Sequence, residues 1–251
     1  MAFVVFLLVA FLAAFVQTVT GFALGMILIA LAAGLQLVSI PALTATVSLL
    51  SLVNVGIALR RDYTKVHVGF WGLITLGQLP AIGVGFYLMT VLNDDATVVL
   101  QLLLGVFVLA GSVSMMRANP VIARPSSKPV RVVAGVAGGL CGGMFSASGP
   151  VMGWFLYRQP LPVDVIRPTL LACFGATTSA RTAIVGATGG FTQEILELAA
   201  ASIPMVALGT WLGGKYVGQI EPEKLRRGAF GLLTLMGMLI VLRASWLLVA
   251  D

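Results

Sequence analysis

Residues 67–92 read HVGFWGLITLGQLPAIGVGFYLMTVL, a stretch without one Asp, Glu, Lys or Arg. At about 1.5 Å per residue, a helix of this length crosses a hydrocarbon core of roughly 30 Å with a turn to spare. Apolar runs recur on both sides of it, at residues 2–16, 22–37, 41–59 and 96–116 before a polar linker, and at 131–144, 149–158, 163–187, 195–218 and 226–249 after it. Over the 251 residues, 59% are hydrophobic and 10% charged, against about 25% charged in a soluble domain. Lipid is therefore the solvent, and backbone groups in lipid must be satisfied within helices or closed barrels. Runs of this length predict helices, so the chain is an all-α polytopic membrane protein with no stretch left for a soluble domain.

The formal charge of +6 does not point to nucleic acid, because the bases sit in short loops between apolar runs. That is where membrane topology places them. Cys141 and Cys173 lie inside apolar segments at no metal or redox spacing and read as packing residues. The opening residues are apolar without a basic n-region, which predicts a first helix rather than a cleaved signal.

Laid over the first half, the second half matches it in order at nearly constant offset. Thr18, Thr20, Gly21 and Gly25 fall on Ser146, Ser148, Gly149 and Gly153; Pro41 and Asn54 on Pro168 and Arg181; Pro80 and Gly85 on Pro204 and Gly209; Gly105, Gly111 and Arg117 on Gly231, Gly237 and Arg243. We read residues 1–117 as a first transmembrane repeat, 118–130 as a cytoplasmic linker and 131–251 as a second repeat. With the N-terminus outside, all but two of the 15 Lys and Arg residues face the cytoplasm, whereas Asp94, Asp95, Glu194 and Glu197 lie outside. The exceptions are Arg181, inside a helix, and Arg243, near an outer end where it snorkels to the interface. An odd number of crossings per half inverts the second repeat and brings the C-terminus outside as well, an arrangement common among secondary transporters. Each half opens with two short segments joined by a polar turn, QTVTGF or FSASGP, expected as a hairpin that either spans or re-enters, followed by three spanning helices.

Arg181, within ACFGATTSARTAIVGATGG, is the most informative residue. A charge in an apolar helix costs several kcal/mol unless it faces a cavity or a partner. Thr177 and Thr178, at i−4 and i−3, share its face. A guanidinium fork beside hydroxyls suits a carboxylate or sulfonate, whose two oxygens it grips together. The structural alternative has Arg181, some six residues from the outer helix end, snorkel outward or pair with Glu194 or Glu197. The two turns are the second candidate: hydroxyls and glycine at a helix break leave free N–H groups and a helix N-terminus for an anion. Ser146, Ser148 and Gly149 supply them in one half, Thr18, Thr20 and Gly21 in the other. Asn54 and Gln78 are further intramembrane polar groups, able to meet substrate or a neighbouring helix. The glycines of GVAGGLCGGM and WLGGKYVG read as close-packing sites, and His67 as a helix-end residue. No HExxH, paired intramembrane carboxylates or Ser/His/Asp set is present, so neither catalytic residues nor a metal or other cofactor is expected.

At GGLCGGMFSASGPVMGWFL, followed by VIRPTLLACF, the chain resembles the sulfite exporter TauE/SafE family. QTVTGFALGMILIAL departs from the family pattern in having fewer glycines and no Pro after Gly21. The resemblance implies transport of sulfite, organosulfonates or related small anions across a bacterial inner membrane. Combined with the residues, it yields an expected secondary transporter of a small anion working by alternating access, with a proton or sodium ion as the candidate coupling partner. The competing classes are a passive anion channel and a membrane-embedded enzyme.

Overall fold

The computed structural model describes residues 2–34, 39–116, 120–217 and 222–250. Ten α-helices occupy them: α1 Ala2–Thr20, α2 Leu24–Gly34, α3 Ile40–Leu59, α4 Val68–Asp95, α5 Thr97–Met116, α6 Lys128–Phe145, α7 Gly149–Tyr157, α8 Val163–Ala187, α9 Gln193–Tyr216 and α10 Pro222–Ala250, with a single 3₁₀ turn at Tyr63–Lys65. Six helices (α1, α3, α4, α5, α8 and α9) are long and apolar enough to cross a membrane. The protein is thus an all-helical, multi-pass membrane protein. Arg117, matched to Arg243 by sequence, and the side chains of Asp94, Asp95, Lys224, Arg226 and Arg227 lie outside the described residues, as do the C-terminal ends of the apolar runs 22–37 and 195–218.

The opening pair of each half differs from expectation in one respect. Its first helix is not short: α1 has 19 residues and α6 has 18, whereas α2 has 11 and α7 only 9. The polar QTVT prolongs α1 instead of breaking it, because Thr18 and Thr20 donate back to the carbonyls of Ala14 and Val16, both at 2.8 Å. A threonine satisfied in this way needs no water. α6 starts early because Pro129 sits in its first turn, where a missing N–H leaves no bond unmade.

α1 packs along α9 and α4 along α6; α3 meets α9 as α8 meets α4; α2 touches α10 as α5 touches α7; and α3–α8 and α5–α10 pair across the molecule. Lipid tails are as apolar as leucine, so helices associate through close packing of small residues. The α4–α6 seam depends on it. A Cβ on Gly139 would lie 2.5 Å from the Gln78 carbonyl oxygen and 2.8 Å from Ala81 Cβ, and Gly77, Gly85, Gly135 and Gly143 face backbone just as closely. Gly209 and Gly213 do the same for α9 against α1, whereas Gly214 faces open space.

Gly139→Ala is accordingly expected to destabilise the folded protein by about 1–3 kcal/mol, the usual overpacking range. Gly72→Ala, in α4 with nothing within 4 Å, should leave stability unchanged or slightly raised. Thermal unfolding of the two variants in one detergent checks this; equal midpoints would show that the seam yields without cost.

Candidate functional site

Two helix breaks meet in the middle of the molecule. In the first, Gly21 has φ +85° and Ala23 φ +110°, the latter a conformation that side chains rarely adopt. The Thr20 hydroxyl sits 2.6 Å from the Phe22 carbonyl, Tyr157 donates its phenolic proton to the Thr20 carbonyl at 2.6 Å, and Gln17 Oε1 accepts from Leu24 N at 2.9 Å, capping α2. In the second, Ser146 takes the left-handed conformation (φ +53°) and its N–H donates to the Gly142 carbonyl, closing α6. Ser148 is the N-cap of α7, yet its side chain makes no capping bond, and its Oγ is buried without a partner. The first-turn N–H groups of α7 have no intrahelical acceptors either.

The tips press on each other. Gly25 lies directly against the Ser146 carbonyl, and Gly149 against Phe22. Between them is a cavity of about 10 Å³ lined by Gln17, Gly25, Met26, Ser51, Ser146, Ala147, Ser148, Gly149, Phe174, Thr177 and Thr178. Such a volume holds roughly one water. Ser51 and Thr177–Thr178 fall near the middle of α3 and α8, so the cavity is level with the centre of the long helices. Ser146 is fixed from α3 by the Ser48 hydroxyl at 2.6 Å. Thr177 donates to Cys173 O and accepts from Gln78 Nε2, both at 3.0 Å; Thr178 donates to Phe174 O at 2.7 Å. Gln78 thus bonds a neighbouring helix, and its Oε1 is left unpartnered.

Arg181 is fully buried and lies behind this wall rather than in it. Nε donates to the Gly143 carbonyl at 3.0 Å, Nη2 to Thr44 Oγ1 at 2.8 Å and to Met89 Sδ at 3.3 Å, and the guanidinium stands 5.6 Å from the Phe86 ring centroid. Nη1 has no partner. Gly143 belongs to the last turn of α6, whose unpaired carbonyls carry partial negative charge. The charge is therefore held by a helix C-terminus, and not by Glu194 or Glu197: Glu197 accepts from Gln193 instead, and among the described residues no ion pair reaches Arg181.

Asn54 occupies the corresponding place beside α1. Its Nδ2 is 3.2 Å from Ala14 O, 3.0 Å from Thr18 Oγ1 and 2.7 Å from Thr210 Oγ1, while its Oδ1 accepts from Gln17 Nε2 at 2.7 Å. Of the sequence candidates, then, Ser146, Ser148, Gly149, Thr177 and Thr178 share the cavity. Thr18, Thr20, Gly21, Asn54, Gln78 and Arg181 brace the elements around it.

The sequence profile described as Sulfite exporter TauE/SafE matches residues 6–240 of the chain. The chain belongs to the sulfite exporter TauE/SafE family. A relative from Cupriavidus necator, named probable sulfite/organosulfonate exporter TauE, is 35% identical over 234 residues, covering 92% of this chain and 91% of its own. No solved structure matches. Family members are membrane transporters and not enzymes, which agrees with the chemistry read from the residues. In this TauE/SafE chain the cavity also takes in Gln17 and Ser51, which sequence reasoning missed. The signal for Gln17 was its amide at the end of an apolar run, inside the turn already singled out as QTVTGF. Ser51 is one of several hydroxyls on α3, and nothing local distinguishes it.

Proposed function

We propose that the chain is a secondary transporter that exports a small oxyanion, either sulfite, a sulfonate or a related carboxylate, across the bacterial inner membrane by alternating access. The observation that carries this reading is the mid-depth cavity between two helix breaks, where hydroxyls, an uncommitted Ser148 Oγ and the N-terminus of α7 converge. Hydroxyl and N–H donors at a helix N-terminus recognise oxyanions without a counter-charge of their own. Broken helices at membrane depth are tolerated where they line such a cavity. A cavity with room for about one water is closed to a sulfonate, so loading requires the tips to part, as an alternating-access cycle demands. The matched helix pairs support two repeats, spanning 1–117 and 131–251: exchanging α1–α5 with α6–α10 maps the contacts α1–α9, α3–α9 and α2–α10 onto α6–α4, α8–α4 and α7–α5. Their opposite orientation, with both termini outside, rests on the odd number of crossings and on the placement of the basic loops.

The test is flux in sealed proteoliposomes. Labelled sulfite or an alkanesulfonate should move against its gradient when a proton or sodium gradient is imposed, and the coupling ion is the one whose collapse stops it. Flux that only dissipates a gradient would make the protein a passive channel. Ser148→Ala removes one donor to a charged group, worth about 1.5–3 kcal/mol, so the half-saturating anion concentration should rise roughly 10- to 100-fold. An unchanged value would take Ser148 out of the site.

A further inference from the structure

Beside the central cavity lies a second, larger one of about 690 Å³, walled by Arg60, Arg61, Asp62, Arg167 and Lys215 and reaching inward to Thr18 and Thr210. The cations come from three separate places: the end of α3, the start of α8 and the end of α9. Topology alone puts basic residues in loops on one side of a membrane, but it does not make them converge on one concavity. Four cations face one carboxylate here, so the vestibule is strongly positive. Low-dielectric walls concentrate such a field and raise the local concentration of counter-ions.

Two further observations tie this vestibule to the central site. Gln17 walls the central cavity and Thr18, the next residue, walls the vestibule, so the last turn of α1 is the partition between them. Arg167 braces that partition: its backbone and Cγ lie against Gly21 at the tip, while its Nη2 pairs with Asp62, which Lys65 also contacts at 3.6 Å. Arg167 is nearly buried; its backbone and Cγ lie at the tip while its guanidinium sits in the basic wall.

We propose that the vestibule is a second binding site for small sulfonate- or sulfite-like oxyanions, in which an incoming anion competes with Asp62 for Arg167. The proposal rests on the anion-transport reading and adds the residues that collect the substrate before it reaches the tips. An anion bound there draws the Arg167 guanidinium from Asp62, beside the tip against which the Arg167 backbone and Cγ lie.

Gly214 lines the vestibule, and a Cβ there meets nothing within 4 Å. In a Cys141→Ala/Cys173→Ala background, Gly214→Cys supplies one thiol, to be labelled with a sulfonate-bearing methanethiosulfonate reagent and its trimethylammonium analogue. The anionic reagent should react faster, on the order of tenfold, as expected of a focusing cationic cleft. Ethanesulfonate should slow it. Arg60→Gln/Arg61→Gln should bring the ratio toward one, whereas Ser148→Ala should leave it unchanged. Asp62→Asn frees Arg167 and should lower the ethanesulfonate concentration needed for protection; Lys215→Gln, at a lining residue that makes no ion pair among the described residues, should raise it, and so replaces Asp62→Asn if that variant does not fold.

A ratio near one, or no protection by ethanesulfonate, overturns the proposal. So does protection by anionic lipid in nanodiscs without an effect of ethanesulfonate, which would make the vestibule a lipid headgroup site. Flux by the same protein is scored separately: flux without vestibule protection sinks this proposal alone, and protection without flux sinks the transport reading.

Discussion

Arg181→Ala is expected to lose both stability and transport, with the stability loss separating the two roles open to this residue. Its guanidinium donates to Gly143 O and Thr44 Oγ1, so truncation leaves the end of α6 without its cationic partner. Each buried group left unsatisfied costs about 1–3 kcal/mol. Because Ser146 follows that turn closely and forms one side of the cavity, the tip loses its anchor and saturable transport should fall below detection. Arg181→Lys keeps the charge but not the planar fork that reaches α6 and α3 together. It should insert normally and transport at a reduced maximal rate, with a smaller shift in the unfolding midpoint. Unfolding midpoints and proteoliposome flux check the pair. Wild-type stability with transport lost would mean that the three contacts carry no weight and that the guanidinium meets the anion directly. Wild-type transport by Arg181→Ala would remove the residue from the machinery.

Gly25→Ala should have an effect of similar size by a different route. The added methyl would land on the Ser146 carbonyl oxygen, 3.3 Å from Ser146 C and 3.4 Å from Ala147 Cα. All three are backbone atoms, so no side chain can swing away and the tips must separate. Transport should drop at least tenfold, since a displacement of about 1 Å at a positioned site costs on the order of a hundredfold. The control is Gly56→Ala on α3, where a Cβ meets nothing within 4 Å and flux should be unchanged. Solute access distinguishes a wedged tip from a misfolded one: Ser148→Cys in the Gly25→Ala background should react faster with small aqueous thiol reagents than in the wild type. Equal flux in the two alanine variants would show that the tips do not need to touch.

Both predictions concern residues that the sequence already singled out, but for reasons the tertiary structure revised. An arginine in an apolar helix must have a partner, and that much follows from desolvation alone. Which partner it has depends on where α6 ends, since Gly143 in its last turn lies 38 residues earlier in the chain. Thr177 and Thr178 were placed on Arg181's face by helical spacing, and they do lie there. They nevertheless line the cavity with Ser148, Thr177 also accepting from Gln78, while Arg181, one turn further on, donates to Gly143 and Thr44.

By itself the sequence determined that the chain is helical and membrane-embedded, and that polar turns fall at QTVTGF and FSASGP, though not how far α1 and α6 extend. These are local properties: the length of an apolar run, the absence of charge, and the backbone freedom of glycine and of small polar residues next to it. The tertiary structure alone decided which polar groups share one space. Gln17 and Thr18 are neighbours in the chain yet wall different cavities, and Ser48 meets Ser146 across 98 residues. Such meetings are set by how closely helices approach, and that distance is fixed where Gly139 and Gly209 admit a facing backbone. Helical periodicity assigns a residue to a face of its own helix, but it carries no information about which helix that face will meet.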